Sequence, residues 1–295
     1  MKNVKAKTNE QIAMQVSANS IAVNLMLSIF KLIAGLMASS GAMISDAIHS
    51  ASDVFSTIIV IIGVKISGKA SDEDHPYGHD RFECVASIIL AILLGVTGVG
   101  IGLTGVQKLM AGHYDTLAVP GVLALAAAVI SIVVKEIMYW YTRNAAKKIN
   151  SGALMADAWH HRSDALSSVG SFVGIFGARM GFPMLDPLAS VVICLFIVKA
   201  AVDIFRDAIS KMTDKSCDQE TVNEMHDCIM NIQGVEGIDL LKTRSFGSKY
   251  YVDIEIKADG DKKLWEAHAI AENVHHVIEQ QFPLVKHCMV HVNPA

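Results

Sequence analysis

The sequence predicts an all-α membrane domain of six spanning helices, residues 1–210, followed by a cytoplasmic α+β domain, residues 211–295. Three observations predict it. Hydrophobic residues make up 52% of the 295, and they concentrate before about residue 210 while charge concentrates after it. Six stretches in the first part are each long and apolar enough to cross a bilayer, which takes roughly 20 residues. In the second part the periodicity alternates between helix and strand over about 80 residues, in the order αββαβ, which suits a small α+β sandwich.

The six stretches run at about 13–38, 42–66, 85–110, 117–141, 153–180 and 185–205. The fourth carries Pro120 in its first turn, where a missing N–H is tolerated. The turn signal Ala111-Gly112-His113-Tyr114-Asp115 closes the third, and the breaker Gly181-Phe182-Pro183 separates the fifth from the sixth. In the tail, 218–232 reads as an amphipathic helix with Asp218 as its N-cap. Strands follow at 238–244 and 249–257 around the turn Phe246-Gly247-Ser248, then a helix at 264–282 and a strand at 286–292. In the second strand Tyr250, Val252, Ile254 and Ile256 share one face, and Tyr251, Asp253 and Glu255 the other.

Positive charge sets the orientation. One set of connections holds Lys2, Lys5, Lys7, Lys65, Lys69, Arg81, Arg143, Lys147, Lys148, Arg206, Lys211 and Lys215, and the other holds Lys108 and Arg179. Both termini are therefore expected in the cytoplasm, and the host membrane is expected to be a prokaryotic cytoplasmic membrane. The first apolar stretch is too long for a signal-peptide core and reads as a retained helix. The five cysteines form no CxxC pair and no framework spacing, so they read as reduced thiols. A net charge of −4 argues against nucleic acid as a partner. The absence of GxxxxGK[ST] argues against ATP as the energy source, and no organic cofactor or enzymatic activity is expected.

The second and fifth helices carry the same device. Asp46-Ala47-Ile48-His49-Ser50-Ala51-Ser52-Asp53 and Asp157-Ala158-Trp159-His160-His161-Arg162-Ser163-Asp164 both read D-A-x-H-x-x-S-D. Positions i, i+3 and i+7 lie on one helical face. Ionisable residues are costly in lipid and face the bundle interior or a water-filled path. If the two helices pack together, His49, Asp53, His160 and Asp164 converge. Two imidazoles and two carboxylates in a tetrahedral arrangement suit Zn2+. A polar network that merely locks the helices is the bland alternative, and the doubling of the motif disfavours it. His161 points about 100° away from His160 and stays out of the metal shell. Asp46 and Asp157 sit one turn from the histidines and either support the ligands from behind or line the approach.

The connection after the second helix offers Asp72, His75 and His79, folded by Pro76 and Gly78. A solvated acidic loop is the alternative there. Histidines in the tail are scattered without zinc-finger spacing, and His226, His275, His276 and His287 read as surface residues.

With six spans, the doubled H-x-x-x-D, the loop D-x-x-H-P-Y-G-H and the αββαβ tail, the chain resembles the cation diffusion facilitator family of metal/proton antiporters over nearly its whole length. The resemblance implies a homodimer with a transport site at His49, Asp53, His160 and Asp164. It implies a second site at Asp72, His75 and His79, and a third in a ferredoxin-like tail, where His268 and His291 hold motif positions and Glu255 stands at a position that is often His. Asn293 takes the place of an acid there, which puts a full binuclear site in doubt. It further implies a charge pair between Arg81 and Asp214 near the dimer pivot. The expected activity is export of a divalent transition metal in exchange for protons. Zn2+ is foremost as cargo and also as a structural ion, followed by Cd2+, with Mn2+, Fe2+, Co2+ and Ni2+ as alternatives. A membrane-anchored metal sensor and a passive channel are readings of another class.

Overall fold

The computed structural model describes residues 8–37, 41–111, 122–179 and 185–295. Pro120 and the two breakers Gly112–Asp115 and Gly181–Pro183 lie outside them. The chain divides into two compact units, Met1–Ala208 and Ile209–Ala295.

The first unit is built from six helices: α1 Asn9–Met37, α2 Gly41–Ser67, α3 Phe82–Ala111, α4 Val122–Ile149, α5 Gly152–Arg179 and α6 Leu185–Met212, which runs on into the second unit. Each matches one expected span. The main differences are at the ends: α4 continues to Ile149, with Lys147 and Lys148 in its last turn, and α6 to Met212, with Lys211 in its last turn. Cations there complement the negative end of the helix dipole. The expected spans stop short because apolar runs end where lipid ends, whereas helices continue into water.

The connection between α4 and α5 is very short. Asn150 adopts φ 55°, and the Ser151 N–H donates to the Ala146 carbonyl at 2.9 Å. This is the six-to-one bond of a left-handed helix stop, which Asn tolerates better than most residues. Ser151 Oγ then accepts from the Leu154 N–H at 3.2 Å and caps α5. Two residues thus reverse the chain and lay α5 against α4. Helix α2 packs on α1, α3 and α5, and α1 also packs on α4. Helices α3 and α6 approach closely at small residues: a Cβ added at Gly98 would meet Ile197 Cγ2 at 2.7 Å, and one at Gly102 would meet Cys194 Sγ. Small residues let membrane helices come near enough to gain dispersion contacts.

Among the described residues, α1 and α3 are long and apolar enough throughout to cross a membrane on composition. Charge stands inside several of the helices, such as Lys31 in α1, Asp53 in α2, Lys135 in α4 and Asp157 in α5.

The second unit has α7 Gln219–Met230, β1 Gly237–Phe246, β2 Lys249–Ala258, α8 Leu264–Gln281 and β3 Val285–Pro294. The αββαβ order and the Asp218 cap are as expected, the carboxylate accepting from the Thr221 N–H at 2.9 Å. The sheet order is β1-β2-β3, with β1 antiparallel and β3 parallel to β2. Val252, Ile254 and Ile256 pack with Met225 and Ile229 of α7 and Val274 and Ile278 of α8, so both helices cover one face. Gly247, at φ 66°, makes the β1–β2 turn. The five cysteines are free. Burial pushes the Cys288 thiol up to about 12, which leaves it unreactive.

Candidate metal centres

Helices α2 and α5 bring one turn of each motif together. Asp53, His160 and Asp164 present three donor atoms within 4.8 Å of one another. His160 Nε2 stands 3.5 Å from Asp53 Oδ1 and 4.0 Å from Asp164 Oδ2, facing both carboxylates. Both carboxylates are buried. One imidazole nitrogen and two carboxylates gathered away from bulk water form a donor set that a divalent cation satisfies at once. His49, the fourth expected donor, and Asp46 fall in the part of α2 whose side chains are outside the described set.

The structure adds a residue that sequence reasoning missed. Lys135 of α4 is 1% exposed. Its ammonium donates to Asp53 Oδ2 at 2.6 Å and to Asp164 Oδ2 at 2.8 Å. A second buried lysine, Lys31 of α1, donates to Ser50 Oγ at 2.8 Å. The signal was present in the sequence, because a lysine inside an apolar span is by itself a candidate for function with a nearby acid as partner.

Beside this centre, Asp157 and His161 are fully buried. His161 Nε2 is 3.6 Å from Asp157 Oδ2, and Thr57 Oγ1 of α2 donates to Asp157 Oδ1 at 3.1 Å. His161 is directed to Asp157 and not to the Asp53 group.

The loop residues also gather. Asp72 Oδ1 accepts from the His75 backbone N–H at 2.7 Å and lies 3.2 Å from His75 Nδ1, while Asp72 Oδ2 lies 3.3 Å from His79 Nε2. Gly78, at φ 92°, makes the bend that returns His79 to Asp72. His79 Nδ1 is 3.1 Å from the Ala70 carbonyl. A proton on Nδ1 donated to that carbonyl leaves Nε2 free to ligate, the usual way a metal-binding tautomer is fixed. The His75 N–H holds the Asp72 carboxyl below its ordinary value, so it stays ionised. Asp72 and His75 are exposed and His79 is buried, so the cluster sits at a surface.

The tail donors do not gather in this way. Within the described residues, Glu255, His268 and His291 form no such three-donor group. Glu255 and His291 are cross-strand partners, but Glu255 Oε2 accepts from Asn293 Nδ2 at 3.3 Å, and His268 faces Glu272 on its own helix at 3.6 Å. His268, His291 and Asn293 do line one groove between α8 and β3. Asp214 adopts φ 60° in the stop after α6, where the Lys215 N–H donates to the Ser210 carbonyl at 3.0 Å. Arg81 belongs to the other unit, at the start of α3.

Comparison with known proteins agrees over nearly the whole chain. Residues 17–213 match the cation efflux transmembrane domain, and residues 217–295 match the cytoplasmic domain of cation efflux proteins. Metal tolerance protein C1 of Arabidopsis thaliana is 33% identical over 281 residues, 91% of this chain and 60% of that protein. The manganese efflux system protein MneP of Bacillus subtilis is 33% identical over 296 residues, 98% of each chain. An uncharacterised transporter of Methanocaldococcus jannaschii is 37% identical over 274 residues, 93% of this chain and 95% of that one. The cytoplasmic domain is where such transporters pair, which makes the working unit a homodimer. The chain belongs to the cation diffusion facilitator family, integral membrane proteins that carry divalent metal ions and are not enzymes.

Proposed function

We propose that this chain exports a divalent transition metal from the cytoplasm in exchange for protons, with Asp53, Asp164, His160 and His49 as the transport site. The observation that carries the reading is the buried convergence of Asp53, His160 and Asp164 from two different helices. Metal from the cytoplasm binds there, and the helices rearrange to open the site outward. Protons from outside compete for the imidazoles, because a ligating histidine must be neutral. Metal then leaves, and the downhill return of protons drives export. Asp72, His75 and His79 hold a further ion at the cytoplasmic surface, on the side where both termini lie. Glu255, His268 and His291 remain candidates for a third site, one that needs movement or the second protomer.

Zinc is the first reading for the cargo, since imidazole with carboxylate suits Zn2+. Manganese is the second. It draws support from MneP and a second Bacillus subtilis relative, MneS, 33% identical over 275 residues, both named as manganese efflux proteins. A carboxylate pair also suits a harder ion. The deciding experiment reconstitutes the chain in vesicles and compares metal-dependent proton flux for Zn2+, Cd2+, Mn2+, Fe2+, Co2+ and Ni2+. Saturable zinc flux that needs a proton gradient is expected. Flux with manganese and none with zinc would replace the first reading by the second, and flux indifferent to the gradient would remove antiport.

A further inference from the structure

Paired carboxylates deep in a bundle need a counter-charge, and here one is supplied by a third helix. Nζ of Lys135 lies 2.6 Å from Asp53 Oδ2 and 2.8 Å from Asp164 Oδ2. The Asp164 oxygen is the important one. The same Oδ2 that holds the ammonium is the atom 4.0 Å from His160 Nε2. Zinc-oxygen and zinc-nitrogen bonds are about 2.0–2.2 Å long. A metal that joins His160 to Asp164 through this oxygen must take the space beside it that the ammonium now fills. Two cations crowded on one carboxylate pair also repel strongly away from bulk water. Lysine carries a compact charge on a flexible four-carbon stem, so it can leave without moving its helix.

We propose that Lys135 is a tethered cation: it occupies the Asp53–Asp164 pair when metal is absent, and the incoming metal displaces it. This rests on the transport-site reading above and goes beyond it. The ammonium then does two things. It lowers metal affinity, because each binding event must first break two short charge-assisted bonds. It also neutralises part of the empty site's charge, so the site can return across the bilayer without an uncompensated carboxylate. A lysine serving only to clip α4 onto α2 and α5 would do neither, and its loss would loosen the site and weaken metal binding.

Equilibrium binding and vesicle flux separate these roles, measured with Zn2+ and Mn2+ on the full-length chain at pH 8, where protons compete least. Lys135→Met and Lys135→Gln are expected to tighten metal binding by about tenfold or more while lowering maximal flux by a similar factor. Lys135→Arg keeps a charge with a broader grip and is expected to bind metal no more tightly than wild type. Unchanged or weaker binding in folded Lys135→Met and Lys135→Gln would overturn the proposal. Asp164→Asn is the control for the site itself: if it binds metal as wild type does, the transport-site reading fails, whatever Lys135 does. Should the neutral variants not fold, the wild-type protein still decides. Saturating metal is expected to raise the rate at which an amine reagent modifies Lys135, followed by mass spectrometry, several-fold. A rate that metal leaves unchanged or lowers would show that the ammonium is not displaced.

Discussion

The two units of this chain invert one another. In the first, large apolar side chains such as Met26, Ile29, Phe55 and Leu195 stand exposed, while Lys31, Asp53, Lys135, Asp157 and His161 are buried. In the second, Val252, Ile254, Ile256 and Ile278 are buried, and charge lies outside. The difference teaches that one chain is folded against two solvents. Hydrocarbon gives no reward for burying a leucine, so the membrane helices are held by close small-residue contacts and internal polar bonds. Water rewards apolar burial directly, and the cytoplasmic unit has an ordinary hydrophobic core.

The largest effect expected from this contrast is at the buried charges of the first unit. Asp53→Ala or Asp164→Ala removes one of the two carboxylates that hold Lys135 among the described residues. Breaking a buried pair costs about 3–5 kcal/mol, and one remaining carboxylate should keep the cost near the lower end. Metal flux should fall by roughly 100-fold or more, since even residues that only orient ligands are worth about 10–100-fold. Vesicle uptake at the wild-type rate in either variant would refute the assignment.

Next is a paired isoleucine test. Ile254→Ala in the cytoplasmic core should cost about 2–5 kcal/mol, as buried large-to-small changes do. Ile29→Ala on the outer face of α1 should stay within about 0.5 kcal/mol. Thermal unfolding of both variants in detergent checks this, and equal losses would erase the contrast between the units.

Smaller again is Gly98→Leu, whose side chain would collide with Ile197 of α6. Overpacking of this kind costs about 1–3 kcal/mol, and an unchanged melting temperature would show that α3 and α6 do not depend on close approach.

The smallest effect concerns the Arg81–Asp214 pair that the family resemblance implies. The proposed Arg81–Asp214 pair is worth about 0–1 kcal/mol if it lies in water. Arg81→Ala and Asp214→Ala should each slow transport without removing metal binding at the transport site. The exchange Arg81→Asp with Asp214→Arg should restore part of the rate. Additive losses in the double-mutant cycle, with no recovery in the exchange, would separate the two residues.

Much of this molecule was legible in sequence. Six spans followed from length and hydropathy, and the αββαβ tail from period changes and the Asp218 cap. Asp53, His160 and Asp164 followed from a repeated motif whose spacing puts its donors on one helix face. Asp72, His75 and His79 followed from proximity along the chain, where a proline and a glycine set the turn. Each helix's share of donors and the whole loop cluster are short-range consequences of backbone geometry; that the α2 and α5 donors meet was conditional on those helices packing together.

Other features needed the packed bundle. Lys135 is 82 residues from Asp53 and 29 from Asp164, and nothing local to it names either as its partner. The position of α4 fixes that triad, through the two-residue reversal at Asn150 and Ser151. The tail shows the same limit in the other direction. The family resemblance implies Glu255, His268 and His291 as a ligand set, and strand register does put Glu255 opposite His291, but the Asn293 amide holds the Glu255 carboxylate and His268 faces Glu272 on its own helix. The sequence alone determined which residues can bear metal chemistry and which helical face holds them, because backbone periodicity is a local property. Only the tertiary structure decided which charges meet, because that depends on how separate elements pack, and buried charges are tolerated only where a partner arrives from another element.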